Sequence, residues 1–401
     1  MTTIVLKSKK EESLLRFHPW VFSGAIERII LDKNNPHATP QEGELVQDVS
    51  HDKQPLGVGH YQVGSIAVRI LEFGVNYLSP DFYLSRLQSA YQLRLSLGLV
   101  RPENNTYRLV HGEGDNLPGL IIDIYANTAV VQAHSVGMHI ARNDIAQALL
   151  QVIPSLENIY YKSDDTLPFK APISGEKVGY LIHTTDTPDE FWSTENGLQF
   201  RIDWLRGQKT GFFVDQRENR SLLESYAHGR DVLNMFCYTG GFSVYALRGG
   251  AHSVHSVDVS EKAIELVRAN VQKNFPDTPH HKAFAQEAFA FMADIKDKYD
   301  LIILDPPAFA KHRDAIKNAL RGYQRLNEKA FQQIRPGGIL FTFSCSQAIN
   351  KDMFRLAVFS AAAAAGRKVR ILHQLHQPAD HPINIYHPEG EYLKGLVLQV
   401  E

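Results

Sequence analysis

Asp305 and Cys345 are the residues whose types and surroundings point most directly to chemistry. Asp305 stands in Leu304-Asp305-Pro306-Pro307-Ala308-Phe309, and Cys345 in Ser344-Cys345-Ser346, forty residues later. A carboxylate can hydrogen-bond the polar edge of a flat base and stabilise charge that develops there. A thiolate can attack carbon, and a cysteine with a pKa of about 8.5 needs only modest local help to supply one. Each segment also has a plainer reading. Two prolines can simply end a strand and fix a turn, and a cysteine outside any disulfide often only packs.

The elements that must position these groups are legible as patterns. Each segment follows an apolar run that reads as a buried strand, Leu301-Ile302-Ile303-Leu304 and Ile339-Leu340-Phe341-Thr342-Phe343, with helical character between them. In an open parallel sheet, residues just past the carboxyl ends of neighbouring strands converge on one crevice. The first strand-turn-helix unit of that region runs from Asp231 through Asn234, Phe236, Cys237, Tyr238, Thr239, Gly240, Gly241 and Phe242 to Ser243. Paired glycines there let backbone approach a ligand closely. Seventeen residues after Gly241, the strand Ser253 to Val257 ends in Asp258, placed to accept hydrogen bonds from ribose hydroxyls. GxGxxG is absent, which favours a smaller nucleoside over a dinucleotide. A plain turn with a surface aspartate is the alternative, and Cys237 reads as structural. Upstream, Lys209 to Arg220 is densely polar around Phe212 and Phe213, and a solvated helix start would also explain it. Lys311, His312, Arg313, Lys317 and Arg321 could meet phosphates or form a solvated helix face.

At 401 residues the chain suits two or three domains, and its 44% apolar and 21% charged shares are ordinary for a globular protein. A formal net charge of −2 argues against binding driven mainly by phosphate neutralisation. With Cys237 and Cys345 as the only cysteines, no disulfide framework supports the fold and a reducing compartment is expected. No signal-peptide h-region opens the chain and nowhere do 18 apolar residues run together, so a cytoplasmic protein without a membrane contact is expected. The 18 histidines form no HExxH pattern, His376 and His381 being the nearest thing to a cluster, and no metal is expected. Turn-separated apolar runs to about residue 72 suit a small all-β barrel. Helical spacing follows from 80 to about 100, then a strand-rich α+β segment to near 185. A hairpin signal at Glu195-Asn196-Gly197 leads into alternating strands and helices beyond 230, closing with strands at Lys368 to Leu375 and Tyr392 to Val400.

Together these segments resemble the bacterial large-subunit (23S) rRNA cytosine-C5 methyltransferases of the RlmI type, which use S-adenosyl-L-methionine. The resemblance spans essentially the whole chain: Arg16-Phe17-His18-Pro19-Trp20-Val21-Phe22, then Arg108 to Glu113 with Leu117-Pro118-Gly119-Leu120. Gly207-Gln208-Lys209-Thr210-Gly211-Phe212-Phe213 with Asp215-Gln216-Arg217 is its most specific signature, and Tyr392-Leu393-Lys394-Gly395-Leu396 closes it. The fold it implies is multidomain: a PUA-like RNA-binding β-barrel over 1–74, an α+β middle domain over 75–187, and a Rossmann-like class I methyltransferase domain over 188–401. It implies that the Asn234 to Ser243 loop wraps the methionine part of the cofactor, Asp258 its ribose, and Glu287 its adenine, where relatives more often carry Asp. Gln216 and Arg217 would lie near the cofactor's amino-acid end, Asp305 would face the target base, and Cys345 would be the nucleophile. An aromatic residue usually follows DPP in amino-group methyltransferases. Here Ala308 does, with Phe309 one later, which favours carbon over nitrogen.

The expected reaction is therefore formation of 5-methylcytosine in a single-stranded or flipped-out rRNA base through a covalent cysteine adduct. Two alternatives are methylation of a purine nitrogen, which needs no thiol, and a non-enzymatic RNA-binding or ribosome-assembly factor. A homodimer is compatible with the sequence.

Overall fold

The apolar runs become the inner strands of a seven-stranded sheet. The structure, a computed structural model, describes every residue except 34–36, 38, 169–172, 185–189 and 311–312, together with the side chain of Arg313. Lys311, His312 and the Arg313 side chain, read above as phosphate candidates, thus lie outside the described residues. By backbone contacts the chain divides into two compact units: Met1–Phe191 with Asp203–Val214 and Ala379–Gly390, and Trp192–Ile202 with Asp215–Pro378 and Glu391–Glu401.

The second unit carries that sheet. Its strands are β1 (Asp231–Met235), β2 (Ser253–Asp258), β3 (His281–Ala285), β4 (Leu301–Leu304), β5 (Gly338–Ser344), β6 (Val369–His376) and β7 (Lys394–Val400). Their spatial order is β3-β2-β1-β4-β5-β7-β6. The first five are parallel, and β7 enters antiparallel between β5 and β6. Every residue of β4 and β5 is buried, as strands covered on both faces require. Strand order reverses between β1 and β4, the switch point where open α/β sheets bind ligands at the carboxyl ends.

Helices α1 (Arg217–Tyr226), α2 (Gly241–Arg248), α3 (Glu261–Asn274), α4 (Ile316–Gln333) and α5 (Lys351–Ala364) cover the sheet. On α4, Ala319, Tyr323, Leu326, Asn327 and Ala330 recur every three or four residues as one buried stripe. The expected hairpin pairs Trp192–Glu195 with Leu198–Arg201. Asn196 (φ +50°) and Gly197 (φ +83°) are both left-handed, as a two-residue hairpin turn demands. Glu195 fastens it: it is wholly buried and receives Arg220 Nε (2.9 Å), Arg220 Nη2 (2.7 Å) and the Tyr245 hydroxyl (2.9 Å). Burial works against the Arg220 charge, yet Glu195 raises its pKa above the ordinary value.

In the first unit, the segment expected to be a small barrel forms a six-stranded sheet. Its spatial order is Trp20–Phe22, Ile66–Phe73, Pro55–Tyr61, Leu45–Val49, Thr3–Leu6, Ile26–Ile30. Two helical turns, Glu12–Leu15 and Ser23–Ala25, interrupt the otherwise β pattern. The middle segment folds as a five-stranded sheet, Thr106–His111 to Val178–His183, with helices Phe82–Ser96 and Arg142–Val152. Residues 379–390 join this unit because fully buried Arg94 bonds Asp115 through both Nη atoms and the Asp380 carbonyl through Nη2 (2.7 Å). Among the described residues no helix is long and apolar enough to cross a membrane.

Glu195→Ala leaves the buried Arg220 guanidinium without its counter-charge, so the second unit should lose about 3–5 kcal/mol of stability. Urea unfolding followed by tryptophan fluorescence measures it; a loss under about 1 kcal/mol would mean that the pair does not fasten the hairpin.

Candidate active site

At the carboxyl end of β1 the chain enters a strained turn. Phe236 (φ +58°), Tyr238 (φ +46°) and Gly240 (φ +77°) are left-handed, while Cys237 and Thr239 are not. Two aromatic residues in that region carry a conformational cost that only surrounding contacts sustain. Those contacts are present. Cys237 N–H donates to the Val257 carbonyl (3.1 Å), Gly240 N–H to the Cys237 carbonyl (2.7 Å), and Asn270 Nδ2 to the Thr239 carbonyl (2.8 Å). Gly240 is also needed for space, since a Cβ there would lie 3.0 Å from Val267.

Asp258 ends β2, half-buried, with one carboxylate oxygen taking Tyr238 N–H (3.0 Å) and the other Ser260 N–H (3.0 Å). An ionised carboxylate offers about four acceptor positions, so capacity remains for a vicinal diol. Beside it Val259 is 75% exposed, an apolar surface for a flat ring. The donor and acceptor set here fits a nucleoside. Asn234 and Ser243 lie beneath the loop, in a buried chain from Asn234 Nδ2 to Ser243 Oγ (2.9 Å), Ser256 Oγ (2.6 Å) and His281 Nε2 (2.8 Å). Asn234 Oδ1 is buried without a hydrogen-bond partner. Phe242 packs in the core, Gly241 leaves room for the Arg220 side chain, and Phe236 and Tyr238 are half-buried. Glu287 is exposed and caps the next helical turn, accepting Ala290 N–H at 2.8 Å.

Across the switch point, Asp305 follows β4, half-buried. Gln216 Nε2 donates to Asp305 Oδ2 at 3.0 Å, and Asn219 Nδ2 holds Gln216 Oε1 at 2.6 Å. Arg217 is buried beside them, its Nε 3.3 Å from Glu218 Oε1. Leu304 is level with Thr342, so the loop after β4 and Cys345, the residue after β5, leave adjacent strands at the same edge. A polar knot joins them. Tyr323 of α4, fully buried, receives the Ser344 hydroxyl (3.0 Å) and meets Ser346 Oγ (2.9 Å), which in turn accepts Ala310 N–H (3.3 Å). Burial pushes the Tyr323 phenol up, so at neutral pH it keeps its proton. Phe309 packs on the Tyr323 ring with centroids 4.7 Å apart, and a Cβ on Gly322 would meet it at 3.0 Å.

The thiols differ. Burial, with the Asp258 charge, pushes the Cys237 thiol up, which disfavours its thiolate; Cys345 is half-buried, and neither cysteine forms a disulfide. Lys317 and Arg321 are exposed on α4. The signature splits by unit: Thr210 Oγ1 donates to Asp123 Oδ2 (2.7 Å) in the first, whereas Gln216 reaches Asp305 in the second. Tyr323, Ser346, Asn219 and Lys394 had no assigned role. Tyr323 has the spacing of a core residue, and Lys394 is marked in the sequence only as a member of the Tyr392-Leu393-Lys394-Gly395-Leu396 segment, with no role attached. The histidine grouping also differs from the expected one: His18, His387 and Glu389, in the first unit, place ligand atoms within 4.8 Å of one another. His18 Nδ1 already accepts Trp20 N–H at 3.3 Å.

Known proteins resemble this chain along its length. A sequence profile described as S-adenosylmethionine-dependent methyltransferase matches residues 181–390, and a PUA-like domain profile matches residues 4–73. A protein of Tolumonas auensis named ribosomal RNA large subunit methyltransferase I is 41% identical, covering 99% of both chains. One of the same name from Aeromonas hydrophila is 39% identical with equal coverage. Among solved structures, a Streptococcus mutans protein assigned as a SAM-dependent methyltransferase superposes with a TM-score of 0.82 at 22% identity, covering 100% of both chains. Another, assigned as a methyltransferase and complexed with SAH, has a TM-score of 0.84 at 22% identity and the same coverage. These two show the fold.

Tyr323→Phe removes the hydroxyl on which Ser344 and Ser346 close. Leaving buried hydroxyls without a partner should cost about 1–3 kcal/mol. Hydrogen exchange should also rise at Ala310 and Ser346; unchanged protection there would mean that the two loops are held by packing alone.

Proposed function

Because the chain belongs to the ribosomal RNA large subunit methyltransferase I family, S-adenosylmethionine-dependent methyltransferases with a PUA-like domain, we propose that it methylates C5 of a cytosine in large-subunit rRNA, with Cys345 as nucleophile. The observation that carries this reading is that Asp305 and Cys345 follow the carboxyl ends of adjacent parallel strands, Asp305 held by Gln216 and the serines on either side of Cys345 held by Tyr323. Phe309 supports carbon over nitrogen as the acceptor: it is packed on Tyr323 and does not stand ready to stack on a base.

When bound, S-adenosylmethionine supplies an electrophilic methyl group. The turn from Asn234 to Ser243, with Phe236, Tyr238, Thr239, Gly240, Gly241 and Phe242, would lie against its amino-acid end, with Gln216 and Arg217 contributing. Asp258 would accept the ribose hydroxyls, and Glu287 would serve the adenine side. Aromatic C5 is a weak nucleophile, so the base must first be made enamine-like. The Cys345 thiolate adds to C6, forming a carbon–sulfur bond as the C5–C6 π pair shifts into the ring. Asp305, aligned by Gln216, binds the N3/N4 edge, and its carboxyl group passes a proton to N3 as the electron pair arrives there. The C4–C5 enamine pair then forms the bond from C5 to the methyl carbon while the sulfur–methyl pair stays on sulfur, leaving S-adenosylhomocysteine; N3 gives its proton back, a base takes the C5 proton, and the returning C5–C6 π bond expels the thiolate. A stacked base hides C6, so the target is single-stranded or flipped out, and the domain matching the PUA profile supplies most of the RNA grip.

Two variants test the reading. Cys345→Ala should abolish 5-methylcytosine in rRNA, as read by bisulfite mapping in cells with and without the wild-type protein; wild-type methylation in that variant would point to a nitrogen acceptor, and an unchanged map on deleting the protein would remove the reading. Asp258→Ala should weaken S-adenosylmethionine binding about 10- to 100-fold in calorimetry, the loss of one or two charge-assisted hydrogen bonds. Unaltered affinity would place the ribose elsewhere.

A further inference from the structure

A nucleophilic cysteine needs help to ionise, and the strand beside it brings a buried cation. Lys394 opens β7, level with Ser344 of β5, and is 5% exposed. Its Nζ donates to the Ser346 carbonyl at 2.6 Å and to the Tyr392 carbonyl at 2.7 Å. Lys394 therefore meets the chain on both sides of Cys345: its backbone is level with Ser344 in the strand pairing, and its side chain bonds the Ser346 carbonyl. An ammonium has three donors, and these two bonds use two of them. We propose that Lys394 is a positioning residue for Cys345, holding the Ser344-Cys345-Ser346 turn and stabilising the thiolate with its charge. This rests on the reading of Cys345 as the nucleophile.

Burying an ammonium is costly, and hydrogen bonds to two carbonyls could be made by a neutral donor. What a lysine adds is charge. Burial lowers the Lys394 pKa to about 8, while the Cys345 and Glu391 charges oppose that fall. The interaction is reciprocal, since whatever Cys345 gives Lys394 by favouring the ammonium, Lys394 gives Cys345 by favouring the thiolate. Other groups facing this pair are the Tyr323 phenol from α4, kept protonated by burial, and Glu391, which is paired with Lys351 of α5 at 2.5 Å. Among the described residues Lys394 makes no ion pair with a carboxylate within 4 Å, so its charge is not already matched by a carboxylate in contact. The sign of the pH dependence follows. Below about 8 the ammonium is present and supports the thiolate; as pH rises through that value the support is lost.

The test is the pH dependence of Cys345 alkylation by iodoacetamide, followed by peptide mass spectrometry so that Cys237 is counted separately. In the wild type the rate should inflect below the ordinary thiol value of about 8.5. Lys394→Met should move the inflection up by about one unit, which slows alkylation at neutral pH about tenfold. Lys394→Gln, which keeps donors but no charge, should behave like Lys394→Met and serves if that variant fails to fold. Lys394→Arg, whose charge persists, should keep the wild-type inflection and extend methylation to higher pH. A wild-type inflection in folded Lys394→Met or Lys394→Gln overturns the proposal. If that occurs while Cys345→Ala is inactive, only the role of Lys394 falls; if Cys345→Ala methylates normally, the functional reading falls whatever the alkylation profile.

Discussion

The Tyr323 hydroxyl is the point on which the candidate site depends. It lies under two loops that leave adjacent parallel strands, and it binds both serines that flank Cys345 while Ser346 takes the Ala310 amide of the other loop. Loops at a sheet edge are ordinarily the mobile part of an α/β fold. Here a buried phenol ties them to the helix between their strands, so the carboxylate loop and the thiol loop share one support. Such a knot must be complete, because any member left unpaired in so dry a place costs more than its hydrogen bond contributes.

A different device works on the other side of the switch point. Alternating left-handed residues at Phe236, Tyr238 and Gly240 turn the chain sharply, and the Asp258 carboxylate takes the Tyr238 amide. That acid is thus oriented by the loop beside which it must act. Strain and hydrogen bonding hold a shape there that propensity alone would not choose. On this side the backbone is bent to make room; on the Asp305 side, side chains hold a carboxylate and a thiol at set positions.

What could be read from the sequence follows period and punctuation. Apolar runs ending at Leu304 and Phe343 identified parallel strands, Asn196-Gly197 identified the hairpin, and Asp258 stood at its strand end as expected. Asn234 and Ser243 were legible as part of a loop but not as members of a chain through Ser256 to His281, because residues nine to 25 positions apart meet only through strand pairing. Residues 379–390 were unreadable for a similar reason. They join the first unit through Arg94, 286 positions away from Asp380, a contact with no local signature. The one-turn helix Glu12–Leu15 was missed because four residues carry too little periodicity to register.

The antiparallel strand β7 explains how residues near the end of the chain reach this site. Parallel strands present only their carboxyl ends at the ligand-binding edge, and whatever follows them must arise in loops. A strand running the other way presents its amino end at that same edge. By entering between β5 and β6, β7 brings its first residue level with Ser344, so that Lys394 bonds the Ser346 carbonyl and Tyr392, just before it, bonds Asp215 Oδ2 at 2.7 Å. A loop could deliver the same side chains, but not with a register set by seven paired residues. The insertion therefore supplies a rigid source of side chains where the parallel part of the sheet has none. It also makes the stability of the outer strands a condition for the geometry around Cys345.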